Sequence, residues 1–222
     1  MLAGDENSRA LGESSESGGS MDMLCDLLQC VIMQILHDRN VYPAACFERR
    51  RLFGVAAYRC RSSELSDYVA TVVQACRHLI AQAECDALVV TILGDAAPTQ
   101  QKSVLERFRL DIRHGGDAAV VDAEALRGLS GGLLVKAHTM CDTLLDPLPS
   151  DKELSFQIEL HAHATTSLPT TGGPGGFQVC ATDPSSWQRA GQEPRIVPIA
   201  AMDAGGVALG VSVLRGVESS VS

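Results

Sequence analysis

The chain has 222 residues, of which 45% are hydrophobic and 20% are charged, and its formal net charge is −9. A chain of this length and composition can bury a core of its own and is expected to be globular. The acidic balance argues against a protein that binds DNA or RNA with its whole surface, because such proteins cluster Lys and Arg to displace counterions.

The first part of the chain carries none of the basic, apolar and cleavage regions of a secretory signal. Residues 1–20 are rich in Ser, Gly and acidic side chains, and we expect them to form a disordered tail. No apolar run reaches the roughly 20 residues that span a bilayer, so the protein is expected to be soluble. Its eight cysteines stand singly, and we expect mainly buried thiols of a reducing compartment rather than disulfides or metal ligands.

Apolar residues recur at every third or fourth position in two segments of the first half of the chain. This spacing predicts one helix over Asp22–Asp38 and a second over Glu64–Glu84, with Ser62 or Ser63 as the N-cap. Between them, residues 41–54 read VYPAACFERRRLFG, which is either a basic patch for nucleic acid or a charged structural corner. The acidic chain favours the corner.

Two apolar segments that follow predict a hairpin. Ala87–Leu93 is a continuous apolar run rich in Val and Ile, and in Val104–Ile112 apolar and charged residues alternate. These patterns indicate one buried strand paired with one half-buried strand. Helical spacing returns over Ala118–Leu145, but three glycines weaken its middle by about 1 kcal/mol each relative to Ala. We expect this helix to be weak or broken at those positions, Gly128, Gly131 and Gly132.

The last third of the chain has strand patterns. Leu154–His163 alternates strictly, which predicts a strand with one wet face. Residues 164–176 are expected to be a flexible connector. Three strand-like pieces follow, at residues 177–181, 195–200 and 207–214. The predicted fold class is therefore α+β, with one mainly antiparallel sheet backed by three helices and a mobile β segment at the end.

A serine hydrolase is the sharpest enzyme hypothesis. Gly128-Leu-Ser130-Gly-Gly132 matches G-x-S-x-G, and candidate Asp and His partners follow in the order of a hydrolase triad. They are Asp142 or Asp151, then His161 or His163. A nucleophile elbow needs a buried strand before the serine, whereas the preceding residues DAEALRGL are helical in pattern. Hydrolysis at Ser130 is therefore a remote alternative.

Three other features of the sequence are candidate sites. His161 and His163 lie on one face of a strand, a metal-binding spacing, but no partner pattern is near and a solvated pair is expected. The glycines of 172–176 lack the Lys and Ser or Thr of a P-loop and indicate a linker, so no cofactor is expected. Trp187 either pins a loop to the body or anchors a partner peptide.

Three stretches together resemble the HORMA domain family. They are Val41 to Leu93, LERFRLDI at 105–112 and EPRIVPIAAM at 193–202. The V-Y-P-x-x-x-F-x-x-R start, the E-L-x-x-Y helix opening and P-R-I-V-P-I-x-x-M resemble most the branch that contains the accessory, non-catalytic subunit of translesion DNA polymerase zeta. The resemblance implies a HORMA core over residues 21–163, a C-terminal "safety belt" over 164–216 and a tail over 217–222. It makes residues 41–54 the corner where the first helix meets the sheet, pinned by Tyr42, Pro43 and Phe47.

The resemblance also implies a mechanism without catalysis. HORMA proteins bind a short extended peptide by strand addition, and the belt then closes over it. The peptide would add to the edge of strand 154–163, beside Leu160 and Ala162. The aromatics that would grip it are Tyr68 and Trp187. The implied partner is a peptide of the polymerase zeta catalytic subunit, in the nucleus, with a spindle-checkpoint or meiotic chromosome-axis HORMA protein as the alternative.

Two further contacts follow from the resemblance. A Rev1-type scaffold polymerase would contact Ile196, although Gly210 and Ser212 replace the family's two other contact residues. Pairing with a second HORMA domain would involve the third helix at Gly132, where the family branch has an arginine, and the neighbouring Arg49. No direct contact with nucleic acid and no membrane binding are implied.

Overall fold

The computed structural model describes residues 19–96, 101–115, 122–149, 153–162 and 195–215. In chain order the elements are α1 (Ser20–Asp38), a 3₁₀ turn (Ala44–Cys46), β1 (Phe47–Leu52), β2 (Val55–Cys60), α2 (Ser63–Ala81), β3 (Cys85–Ala96), β4 (Gln101–His114), α3 (Ala123–Leu144), β5 (Leu154–Ala162), β6 (Arg195–Asp203) and β7 (Val207–Arg215). Residues 163–194, which include the predicted connector, the strand-like piece 177–181 and Trp187, lie outside the described residues.

Five of the strands form one antiparallel sheet. Its order is β5-β3-β4-β7-β6, so β5 and β6 are its edges and β3 and β4 lie inside it. The predicted hairpin of a buried and a half-buried strand is confirmed as β3 and β4. α2 packs on this sheet at β3 and β5 and α3 packs on it at β6, while α1 packs on both of those helices. The predicted α+β class with three helices is confirmed. The expectation of a single sheet is wrong, because β1 and β2 form a second sheet of two strands.

α1 is the central helix of the molecule. Its wide apolar stripe packs against α2, α3 and β2 at once. Leucines on successive turns, such as Leu24, Leu28 and Leu36, have no solvent exposure. The helix therefore follows from its sequence pattern, since a stripe of this width is stable only when most of it is covered.

The β1–β2 hairpin is the element that the sequence reading missed. Its two-residue turn places Phe53 at φ 48° and Gly54 at φ 77°. Two positive φ values in succession match the right-handed twist of a tight hairpin. A phenylalanine rarely adopts this conformation, so the local sequence does not predict the turn. β2 packs on α1, which makes residues 41–54 a helix-to-hairpin corner.

α3 is one unbroken helix in spite of its three glycines. Asp122 caps its start, accepting hydrogen bonds from the backbone N–H groups of Glu124 and Ala125. The expected break is absent. Residue 131 is a glycine for a different reason: a Cβ atom at this position would lie 2.5 Å from the carbonyl oxygen of Phe53. The glycine lets the hairpin turn approach the helix backbone.

A buried ion pair ties the first helix to the sheet. Arg39, which ends α1, donates from Nε and Nη2 to the two carboxylate oxygens of Glu106 on β4, at 2.7 and 2.8 Å. Arg39 also donates to the carbonyl oxygen of Asp146. Arg215, at the end of β7, lies 3.0 Å from the same glutamate. The network thus joins α1, β4, β7 and the segment after α3.

No described helix has the length and apolar character needed to cross a membrane. The seven cysteines that the structure describes are free thiols, and Cys180 lies outside the described residues. Five of the seven are buried: Cys25, Cys60, Cys76, Cys85 and Cys141.

Candidate functional site

β5 presents an open strand edge. On its inner side it pairs with β3 in antiparallel register, from Leu154 opposite Gly94 to Ala162 opposite Cys85. Within the part of the chain that the structure describes, no strand pairs with its outer side. The outward backbone N–H and C=O groups of this edge can therefore pair with an added strand.

One face of β5 continues the hydrophobic core to that edge. Five partly exposed apolar side chains alternate along this face, and the first four of them pack against the core. They are Leu154, Phe156, Ile158, Leu160 and Ala162. An added strand would cover these apolar groups as well as satisfying the backbone, which is the combination used in strand addition of peptides.

An aromatic cluster stands at the same edge. The ring of Tyr68 on α2 lies 5.8 Å from that of Phe156, and Tyr42 lies 6.1 Å from Phe156 on the other side, both in edge-to-face contact. Tyr68 is 46% exposed, which is unusual for a large aromatic that also contacts the core. Burial of the remaining surface raises the pKa of its hydroxyl. The cluster offers a rigid aromatic surface beside the strand edge.

The side chains on the opposite face of β5 are less exposed to solvent than the alternating sequence pattern predicts. Gln157 is exposed, but side-chain exposure is only 20% for Glu159 and 25% for His161. Arg109 Nη1 lies 3.2 Å from His161 Nδ1, and His161 Nε2 lies 3.7 Å from Glu159 Oε2. Interaction with the His161 imidazole lowers the pKa of the Glu159 carboxyl. Neighbouring polar side chains on the sheet thus enclose residues that an isolated strand would expose.

The other edge of the sheet is built differently. β6 carries Pro198, and the β6–β7 register shifts between Pro198 and Ala200. Proline removes a backbone donor and a bulge distorts the ladder, so both features discourage strand addition. β5 has neither feature along Leu154–Ala162; the one shift in its pairing with β3 lies at Cys85/Ala87. The asymmetry makes β5 the better docking edge.

Three of the residues singled out from the sequence lie on β5 or beside it. Tyr68 lies on α2 against Phe156, and Leu160 and Ala162 lie further along the same strand. Phe156 was not singled out, because its alternation marks only an apolar face and its contact with Tyr68 depends on the tertiary fold. Trp187 lies outside the described residues.

The remaining sequence candidates lie elsewhere. Ile196 is 62% exposed on β6, on the same face of the sheet as Gly210 and Ser212 of β7. Arg49 is exposed on β1, and Gly132 faces open space on α3, with nothing within 4 Å of a Cβ placed there. The hairpin that carries Arg49 packs against α3 near Gly132.

Ser130 is not placed as a nucleophile. It lies inside α3 with no solvent exposure, and its hydroxyl donates a hydrogen bond to the Leu126 carbonyl oxygen at 2.5 Å. A nucleophile elbow requires a strand-to-helix turn with an exposed hydroxyl. The strand-to-helix turn that the hydrolase hypothesis requires is therefore absent at Ser130, and the hypothesis is wrong on this point.

Of the histidine pair, His161 lies on β5 and His163 lies outside the described residues. Among the residues with described positions, no group of three or more His, Cys, Asp or Glu side chains is arranged to hold a metal ion. The glycine run 172–176 also lies outside them.

Comparison with known proteins agrees with the fold. The HORMA domain model matches residues 20–206, and the chain belongs to the HORMA domain family. It is 25% identical over 192 residues to the DNA polymerase zeta processivity subunit of Arabidopsis thaliana, covering 86% of this chain and 83% of that protein. It is 24% identical over 149 residues to the mitotic spindle assembly checkpoint protein MAD2B of Danio rerio, covering 66% and 68%.

The fold is also found in a solved complex. C. elegans HTP-2 bound to a HIM-3 closure motif superposes with a TM-score of 0.65 at 14% identity, covering 88% of this chain and 89% of that one. At this identity the similarity shows the shared fold alone.

Proposed function

We propose that this protein is a non-catalytic adaptor that captures an extended peptide of a partner protein along the outer edge of β5. The observation that carries the proposal is the open, apolar edge of β5 beside the exposed ring of Tyr68. A peptide strand placed there gains backbone hydrogen bonds and covers partly exposed apolar side chains. Of residues 164–216, the predicted safety belt, the part between β5 and β6 would then close over the peptide and slow its release, while β6 and β7 stay paired in the sheet.

The partner that we propose is the catalytic subunit of DNA polymerase zeta, which makes this chain its accessory subunit in translesion synthesis, acting in the nucleus. The similarity to the Arabidopsis processivity subunit supports this choice. The sequence motifs that resemble this branch of the family support it as well, and they occur in both halves of the chain. Leu160 and Ala162 would line the peptide channel, with Tyr68 and Trp187 gripping a proline-containing peptide.

A spindle-checkpoint or meiotic chromosome-axis role is the second candidate. The similarity to a relative named for the mitotic spindle checkpoint favours it. The same edge of β5 would serve either role, so the two candidates differ in the peptide that is captured and not in the site.

Two accessory contacts belong to the proposal. A Rev1-type scaffold polymerase would bind the exposed face around Ile196, in the altered setting that Gly210 and Ser212 create. A second HORMA domain would pair across α3 at Gly132 with Arg49 nearby. Both surfaces lie away from the edge of β5, so the protein could hold its peptide while it makes either contact.

The test is recovery of bound proteins from native extract with the tagged full-length chain and with Tyr68→Ala. The wild-type chain should recover the polymerase zeta catalytic subunit, and Tyr68→Ala should lose most of it. Leu144→Ala is the control, because Leu144 is 50% exposed at the far end of α3. Recovery of checkpoint or axis proteins without a polymerase subunit would replace the first candidate with the second. Equal recovery by all variants would refute the site.

A further inference from the structure

The β1–β2 hairpin concentrates positive charge on an acidic protein. Residues 47–61 contain five arginines and one glutamate, so this segment carries a net charge of +4 in a chain whose net charge is −9. The side chains of all five arginines are exposed: Arg49, Arg50, Arg51, Arg59 and Arg61. Three of them follow one another on β1, and it is mainly the other strand, β2, that packs on the helices.

The register shows which backbone groups point away from β2. Leu52 and Val55 flank the two-residue turn as a directly opposed pair, and such a pair exchanges both of its hydrogen bonds. Hydrogen-bonded pairs alternate from there, so the outward N–H and C=O groups are those of Arg51, Arg49 and Phe47. The Phe47 carbonyl oxygen already accepts a hydrogen bond from Arg61 Nε at 3.3 Å, which leaves Arg49 and Arg51 as the docking positions. Among the described residues no strand pairs with this side of β1.

The same arginines border an open recess. A cavity of about 370 Å³ is lined by Arg49, Arg50 and Arg51 together with Gly54, Val55 and Ala56 of the turn and β2. The small residues Gly54 and Ala56 leave space beside the guanidinium groups. A guanidinium binds a carboxylate with two parallel hydrogen bonds, which a lysine cannot do.

From this combination we propose that the outer edge of β1 is a second docking surface, which binds an extended acidic segment of a partner protein as an added strand. Carboxylates on alternate residues of that segment would lie beside Arg49 and Arg51, while its backbone pairs with theirs. The six residues of β1 span about 20 Å, which matches a short peptide strand.

Nucleic acid fits this surface less well. Phosphate binding draws its strength from many contacts along an extended basic track. Here the basic region ends with the hairpin, and the rest of the chain is acidic, so a longer polyanion would run onto surface of its own sign. A short acidic strand stays within the arginines.

The surface is separate from the proposed function at β5, because β1 and β5 are edges of different sheets. The first test is a titration of the full-length chain at low ionic strength with the labelled peptide Thr-Glu-Val-Glu-Val-Glu-Thr. The comparison ligands are the same peptide with Lys in place of Glu and a short oligothymidylate. The variants are Arg49→Glu/Arg51→Glu and, as the charge-matched control outside the hairpin, Arg113→Glu/Arg127→Glu.

We expect the acidic peptide to bind in preference to both comparison ligands. Reversal at Arg49 and Arg51 should weaken it by about tenfold or more, and the control reversal by less than about twofold. Amide exchange at Arg49 and Arg51 should slow when the peptide is bound, because their outward N–H groups gain acceptors. Circular dichroism of each variant checks that it is folded.

Three results would overturn the proposal: tighter binding of oligothymidylate, equal weakening by both charge reversals, or no binding of the acidic peptide. The last would mean that the arginines only protect an exposed edge from aggregation, a common use of charged residues on edge strands.

Discussion

The ring of Tyr68 on α2 meets the ring of Phe156 on β5 edge to face, with centroids 5.8 Å apart and an interplanar angle of 73°. This contact holds an otherwise exposed aromatic above the open edge of β5. Because this contact restrains the ring before a ligand binds, less side-chain entropy is lost when a peptide packs on it. The arrangement explains how a residue of a helix can contribute to a strand-addition site.

Tyr68→Ala should weaken peptide capture by about 2 kcal/mol or more, because it removes a buried anchor from the complex. The measurement is fluorescence anisotropy with a labelled peptide of the recovered partner. Tyr68→Phe is the matched control, since it keeps the ring and its contact with Phe156 and should retain most of the affinity. Equal affinity of Tyr68→Ala and wild type would remove Tyr68 from the site without affecting the fold.

Glu106→Gln should destabilise the protein by about 3 kcal/mol or more, because it leaves the Arg39 guanidinium buried without its counter-charge. Arg39 is 4% and Glu106 1% exposed, so water cannot replace the lost partner. Urea unfolding followed by circular dichroism measures the change. The control is Glu48→Gln, which removes the exposed pair with Arg50 and should leave the unfolding midpoint unchanged. Similar midpoints for both variants would contradict the structural role given to the buried pair.

Gly131 and Gly132 of α3 should respond differently to substitution by alanine. Gly131→Ala should destabilise the protein by about 1–3 kcal/mol, because the new methyl group would meet the Phe53 carbonyl oxygen and the Val55 side chain. Gly132→Ala meets nothing within 4 Å and should stabilise the helix by up to about 1 kcal/mol. Thermal unfolding of the two variants side by side measures both effects. The same sign of change in both would show that the hairpin turn does not pack on α3 as described.

The regular elements could be predicted from the sequence where one physical pattern governs them. α1 and α2 follow from apolar spacing, and β3 with β4 follows from an apolar run beside an alternating one. The predicted end of α2 was late by three residues, since the helix stops at Ala81 and Ala83 takes a positive φ of 56°. Ends of helices depend on such single-residue conformations, which periodicity does not encode.

The β1–β2 hairpin and the continuity of α3 could not be predicted, and one contact explains both. The turn at Phe53 takes a conformation that is rare for phenylalanine, and Gly131 accommodates that same turn against α3. Phe53 is unfavourable in such a turn and Gly131 is unfavourable in a helix, and the tertiary contact between them explains why both are present.

The candidate site was predicted in part. Alternation marked the apolar face of β5, and the family resemblance singled out Tyr68. That β5 is an edge strand follows from the sheet order, which local sequence does not determine. The joining of Tyr68 to Phe156 across 88 positions of sequence is likewise a property of the fold.

Five thiols, four of them buried and the fifth, Cys30, partly buried, provide a pH-dependent prediction. Burial raises the pKa of Cys25 to about 11 and the pKa of Cys30, Cys76, Cys85 and Cys141 to about 12, from the ordinary thiol value of 9.0. At pH 8 a thiol with a pKa near 12 is ionised on the order of once in 10⁴ molecules, and only the thiolate reacts. Iodoacetamide should therefore modify these cysteines slowly in the folded protein and fully in urea, as measured by mass spectrometry of peptides.

The same shifts set the alkaline limit of stability. Because the folded state holds these protons more tightly than the unfolded state, their stabilising contribution is complete below about pH 9 and is lost as the pH rises toward 11–12. Urea midpoints should thus be lower at pH 10 than at pH 8. Rapid modification of any of the five thiols at pH 8, together with equal urea midpoints at pH 8 and pH 10, would contradict this prediction. It would show that the helix and sheet layers around the thiols open more readily than their burial indicates.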